Sequence, residues 1–97
     1  MPQGVEVENN LTPKADFLVF PNPGKGQFNV QLDAFVGQEV QIRVYDQLGQ
    51  IVEQRDWQMI ESTITQLDLQ HLPAGTYVVD IQTSTTRVSK KLIKLER

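Results

Sequence analysis

From Phe17 onward, apolar and polar residues alternate with a period of two, and turn-forming residues interrupt the alternation at short intervals. Phe17-Leu18-Val19-Phe20 is a short apolar run stopped by Pro21-Asn22-Pro23-Gly24. Proline cannot donate to a strand ladder, so this strand ends there, at a sheet edge. Gly24-Lys25-Gly26 then turns the chain into Gln27–Leu32, where Phe28, Val30 and Leu32 share one face. Gln38–Tyr45 repeats the pattern with Val40, Ile42 and Val44 inward and Gln41, Arg43 and Tyr45 outward. Asp46-Gln47-Leu48-Gly49 is a tight turn in which Asp46 can cap and Gly49 suits a positive φ. The next strand, Gln50–Trp57, pairs back as a hairpin, although adjacent Ile51 and Val52 leave its inward set undecided.

Ile64–Leu69 follows with Leu67 and Leu69 inward, and Leu72-Pro73-Ala74-Gly75 makes a corner. Gly75–Thr83 places Tyr77, Val79 and Ile81 on one face, and Ser84-Thr85-Thr86 leads into a last strand, Arg87–Leu95. About seven short strands with turns between them predict an all-β, antiparallel β-sandwich. Residues 1 to about 15 carry neither hydrophobic period and read as a tail or linker, with Asn10-Leu11-Thr12 matching a glycosylation sequon.

Composition narrows the function classes. A chain of 97 residues corresponds to one domain with a single modest core. The absence of cysteine removes disulfides, thiolate metal sites and a cysteine nucleophile. No apolar run reaches membrane-spanning length. The net charge of −3 conceals a sorting of charge along the chain: residues 87–97 carry a balance of +4, and the remainder −7. Such a run is usually a solvated strand face, but it can also serve as a recognition handle.

Candidate chemistry is sparse. The single histidine, His71, stands at the Leu72-Pro73 corner and reads as a solvated loop residue. The acidic residues are scattered; Asp46 and Asp68 stand near turns, where a carboxylate ordinarily accepts backbone N–H bonds. A surface calcium site shared by loops stays open as an alternative. Ser62, Ser84 and Ser89 lack a nucleophile context, and Gly24-Lys25-Gly26 has no helix behind it to cradle a phosphate. The chain therefore reads as a non-enzyme without a cofactor. Its acidity and the lack of aromatics within the basic strand argue against nucleic acid. Trp57 and Tyr45 could form an aromatic platform for sugar, although a tryptophan packed over a sheet end is the simpler expectation.

The turns also carry a resemblance. Val19-Phe20-Pro21-Asn22-Pro23, with Gly26 and Phe28 after it, looks like the opening motif of type A C-terminal sorting domains of the type IX (Por) secretion system of Bacteroidota. Val44-Tyr45-Asp46-Gln47-Leu48-Gly49-Gln50 resembles the family's hairpin signature. Leu67-Asp68-Leu69 through Leu72-Pro73-Ala74-Gly75-Thr76-Tyr77 resembles its corner, and Lys90-Lys91-Leu92-Ile93-Lys94 its terminal motif. Phe20 stands where tyrosine is common in the family.

The resemblance implies an immunoglobulin-like sandwich over residues 17–97, with residues 1–16 as the junction to an upstream cargo in the same chain. It implies passage through the periplasm and across the outer membrane to the cell surface or the medium, without direct membrane insertion. It also implies removal of the domain by a cysteine protease of the secretion machinery. On this reading Lys90, Lys91, Leu92, Ile93 and Lys94 meet a receptor, by edge pairing of the last strand plus charge complementarity. Pro21, Asn22, Pro23, Gly26, Tyr45, Asp46, Gly49, Leu72, Pro73, Gly75 and Tyr77 are expected mainly to shape the fold. The alternative is a carbohydrate-binding or adhesive immunoglobulin-like module built around Trp57.

Overall fold

The computed structural model describes residues 15–96, and over these the alternation becomes seven strands. They are β1 (Leu18–Phe20), β2 (Gln27–Gln31), β3 (Glu39–Tyr45), β4 (Ile51–Met59), β5 (Ile64–Asp68), β6 (Gly75–Gln82) and β7 (Arg87–Lys94). Most of the tail expected over residues 1–16, the Asn10–Thr12 sequon and Arg97 lie outside the described residues. Among the described residues no helix is long and apolar enough to cross a membrane.

The strands form two antiparallel sheets, ordered β1-β2-β5 and β4-β3-β6-β7. The chain crosses between sheets after β2, β4 and β5, so hairpin partners stay together while β5 returns to lie beside β2, a Greek-key path. Each sheet turns one face of its period-two pattern inward. Phe28, Val30 and Leu67 from one sheet meet Val40, Ile42, Val44, Tyr77, Val79, Ile81 and Leu92 from the other, all buried. Phe35, in a single 3-10 turn over Asp33–Phe35, and Ile60 close the core at one end. That contribution was hidden in the sequence, because Phe35 lies in a connection with no strand periodicity.

β4 shows why its inward set could not be read. Its register against β3 shifts twice, between the Val40 and Ile42 pairs and between the Val44 and Tyr45 pairs, each time with an extra residue on β4. Val52 packs against the core while Ile51 stays exposed. Arg55 reaches across the gap between sheets instead of an apolar side chain, its Nη2 donating to the Gln66 carbonyl at 2.6 Å. Trp57 does not pack over a sheet end as expected; it is 47% exposed on this edge strand. It also lies several residues along the hairpin from the row containing Tyr45 and Ile51, so the two aromatics form no shared platform.

β7 belongs to the core as well as to the surface. Val88, Lys90, Leu92 and Lys94 face inward in register with Ile81, Val79, Tyr77 and Gly75, and Leu92 is fully buried. Leu92→Ala should therefore cost about 2–5 kcal/mol of unfolding free energy, measured by chemical denaturation. A cost below about 1 kcal/mol would mean that the last strand is not integral to the core.

Candidate recognition site

The four motif-bearing segments are far apart in sequence and meet at one end of the sandwich. The β3–β4 turn follows Tyr45, which pairs with both Ile51 and Val78. Gly75, at the start of β6, pairs with Lys94 at the end of β7. Gly24 bridges to the same Lys94 from the other side. A shallow depression of about 260 Å³ lies at this pole, lined chiefly by Asp46–Leu48, Val52 and Leu72–Tyr77.

Local chemistry accounts for most of the motif residues. Asp46 Oδ1 accepts the backbone N–H groups of Leu48 and Gln50 at 2.9 and 3.0 Å, which holds the turn closed. Gly49 within it has φ of +83°, a left-handed conformation that a Cβ disfavours. Tyr77 donates its hydroxyl to the Pro73 carbonyl at 2.6 Å and so fixes the corner before β6. Leu72 packs against the core, and Gly26 accepts the Leu69 N–H at 2.7 Å, tying the start of β2 to the end of β5. Tyr45 faces outward beside Arg43, whose Nη1 lies 3.5 Å from its hydroxyl.

Pro21–Gly24 does something the sequence did not announce. The Asn22 side chain donates to the Lys91 carbonyl at 2.9 Å and accepts the Ile93 N–H at 3.0 Å. Gly24 donates to the Ile93 carbonyl at 3.0 Å and accepts the Leu95 N–H at 2.7 Å. The loop thus takes the place of a neighbouring strand along the outer edge of β7. A Cβ on Gly24 would come within 2.7 Å of the Pro21 carbonyl and 2.6 Å of the Phe28 ring, so only glycine fits this close approach. The last strand, through which the sequence reading expected a receptor to pair, therefore already has its edge hydrogen-bonded to this loop over residues 91–95.

The chain matches the family model described as secretion system C-terminal sorting domain over residues 18–95. It belongs to this family, the sorting domains of type IX secretion. A DUF3244 family protein with an immunoglobulin-like β-sandwich fold from Bacteroides vulgatus superposes with a TM-score of 0.67 at 18% identity, covering 81% of this chain and 84% of that one. That likeness supports the immunoglobulin-like fold. No curated protein matches the chain. The family is in general non-catalytic, and its membership ties the chain to the type IX machinery and to export across the outer membrane.

In this sorting domain the basic strand is less free than its charge suggests. Arg87 pairs with the buried Asp80 at 2.9 Å, where Ser89 also donates to the same carboxylate oxygen. The Asp80 carboxylate, by hydrogen bond and charge, keeps the Arg87 guanidinium protonated above the ordinary arginine range. Lys90 reaches Asp16 at 3.1 Å. Lys94 is only 6% exposed, its stem lying on the core side of the strand. Lys91 and Ile93 remain on the outer face, Lys91 opposite Val78 and Ile93 opposite Thr76. Sequence reasoning also passed over Leu48, which is 83% exposed at the tip of the motif turn. Its signal was available: a leucine in a turn whose geometry asks only for Asp46 and Gly49. His71 stays exposed, 4.0 Å from Glu53, and no group of three or more metal-ligating side chains occurs among the described residues.

Asn22→Ala should cost about 1–2 kcal/mol through its two lost bonds. Amide exchange followed by NMR should then accelerate at Ile93, while Leu95, held by Gly24, stays protected. Unchanged protection at Ile93 would show that the side chain does not hold this edge. Burial pushes the Tyr77 phenol above its ordinary pKa, and the Asp46 carboxylate pushes the same way. The unfolded phenol ionises first, near the reference value of 10.0, so stability falls as pH rises from there through the raised folded value. Tyr77→Phe should lose this alkaline decline; an equal decline in both proteins would assign it to another group.

Proposed function

We propose that the domain directs an attached upstream cargo across the outer membrane through the type IX machinery, and that the machinery reads side chains displayed at the motif-bearing pole. The observation that carries this reading is the convergence of the four motif segments on one end of the sandwich. Three apolar residues at this pole, Leu48, Ile93 and Leu95, are exposed, as is Lys91 on the outer face of β7. None of them is required by turn geometry or by the core. Exposed apolar side chains and an unpaired cation at one end of the sandwich suit a protein partner that offers apolar surface and a carboxylate.

The receptor-contact set narrows accordingly from Lys90–Lys94 to Lys91 and Ile93, with Leu48 added. Leu92 and Lys94 contribute by holding the strand in place. The junction to the cargo falls within residues 1–16, and the buried Phe17, together with Asp16 paired to Lys90, supports assigning the folded domain from about residue 17 onward. Cleavage by a cysteine protease in that junction would leave the sandwich whole and deliver the cargo to the outer membrane surface or the medium.

Deleting Arg87–Arg97 would remove Leu92 from the core, so failed export of such a cargo could reflect unfolding alone. Point substitutions separate the two effects. Leu48→Asp and Lys91→Glu, made in a cargo protein carrying this domain, should hold the cargo in the periplasm. Thermal unfolding of the same variants should change little, since exposed substitutions usually fall within about 0.5 kcal/mol. Normal surface display of both stable variants would overturn the reading.

A further inference from the structure

The outer face of the three-stranded sheet lies apart from the residues proposed above for receptor contact. The register places Phe20, Asn29 and Gln66 in one row across β1, β2 and β5. Gln27 and Asp68 form the next row, and Leu18, Gln31 and Ile64 the row on the other side. The side chains of Gln27, Asn29 and Gln66 make no hydrogen bond among the described residues, unlike Gln31, which donates to Asp33. A shallow depression of about 220 Å³ lies over this part of the sheet, lined by Gln27, Asn29, Gln66 and Asp68 with Phe28 and Leu67 beneath. No lysine or arginine belongs to these rows, and Asp68 supplies their one carboxylate, already accepting the Gln70 N–H.

We propose that this face binds a neutral glycan. A carboxamide presents a donor and an acceptor side by side, matching the paired hydroxyls of a sugar ring. Three such groups on adjacent strands offer that match repeatedly, and the 38%-exposed Phe20 ring at the end of the row offers an apolar surface to the C–H face of a sugar. Three strands at sheet spacing set Phe20 and Gln66 about 10 Å apart, the span of a disaccharide. Charge complementarity selects the ligand class: no lysine or arginine stands in these rows, the Arg55 guanidinium at their margin is engaged by the Gln66 carbonyl, and the Asp68 carboxylate would repel an anionic sugar.

The face lies on the opposite sheet from Lys91 and Ile93, so the glycan site and the sorting surface can be tested separately. The test is an NMR titration of the whole chain with millimolar cellotriose, mannotriose and chitotriose, with sialyllactose as the anionic comparison. Amide and side-chain shifts confined to Gln27, Asn29, Gln66 and their neighbours with at least one neutral sugar are expected. Asn29→Ala and Gln66→Ala should each weaken that binding about tenfold, the loss of one good hydrogen-bonded pair. Both side chains are on the outer face, so a folded spectrum is expected for each variant; Asn29→Gln keeps the carboxamide and should retain part of the affinity. The absence of shifts with every neutral sugar would overturn the proposal. So would shifts elsewhere on the domain, equal binding by the alanine variants, or preference for sialyllactose.

Discussion

An edge strand leaves alternate backbone N–H and C=O groups without partners, and this domain ends on such a strand. A single loop from the other sheet covers it: Asn22 and Gly24 make four hydrogen bonds to Lys91, Ile93 and Leu95, in the positions a further strand would occupy. The prolines on either side of Asn22 cannot donate, so the loop offers bonds to β7 without extending the sheet beyond itself. Everything at the motif-bearing pole depends on this closure. β7 is fixed between β6 and the loop, which in turn fixes Leu92 in the core and Lys91 and Ile93 on the surface.

The same closure bears on how a partner can approach the last strand. With the edge of β7 hydrogen-bonded to the loop over residues 91–95, the proposed recognition rests on side chains instead of strand addition. The charge of the last strand is also divided by its pleat. Lys90 and Lys94 share the inward phase with Leu92, one ion-paired to Asp16 and the other lying along the core, while Arg87 neutralises the buried Asp80. A segment that is strongly basic in sequence presents one unpaired and exposed lysine, Lys91, among the described residues. Leu48, Ile93 and Leu95 are exposed at the same pole, so the proposed recognition surface is apolar as well as charged.

The two sheets divide the work. The four-stranded sheet carries the motif pole and the charged outer face around Asp80. The three-stranded sheet carries a neutral face of carboxamides with Phe20, Leu18 and Ile64 at its margins. The alternative sugar platform of Trp57 and Tyr45 does not form, because the two bulges of β4 and the length of the hairpin keep those residues apart. Polar side chains with free hydrogen-bonding groups gather instead on the opposite sheet, in rows that only the β1-β2-β5 pairing creates.

Period-two alternation by itself determined the strands, the inward sets of β2, β3, β5 and β6, and the turns at Asp46–Gly49 and Leu72–Gly75. These are local properties: a side chain's face follows from its neighbours two residues away, and a turn from the residues that tolerate it. It even placed Lys90 and Lys94 in phase with Leu92. Which sheet edge those residues occupy, and what covers it, is set by contacts some seventy residues apart in sequence, such as Asn22 with Lys91 and Ile93. No local period encodes a partner that distant. The tertiary structure alone decided that the loop ending the first strand closes the last one, that Phe35 fills the far end of the core, and that the motif segments meet at a single pole.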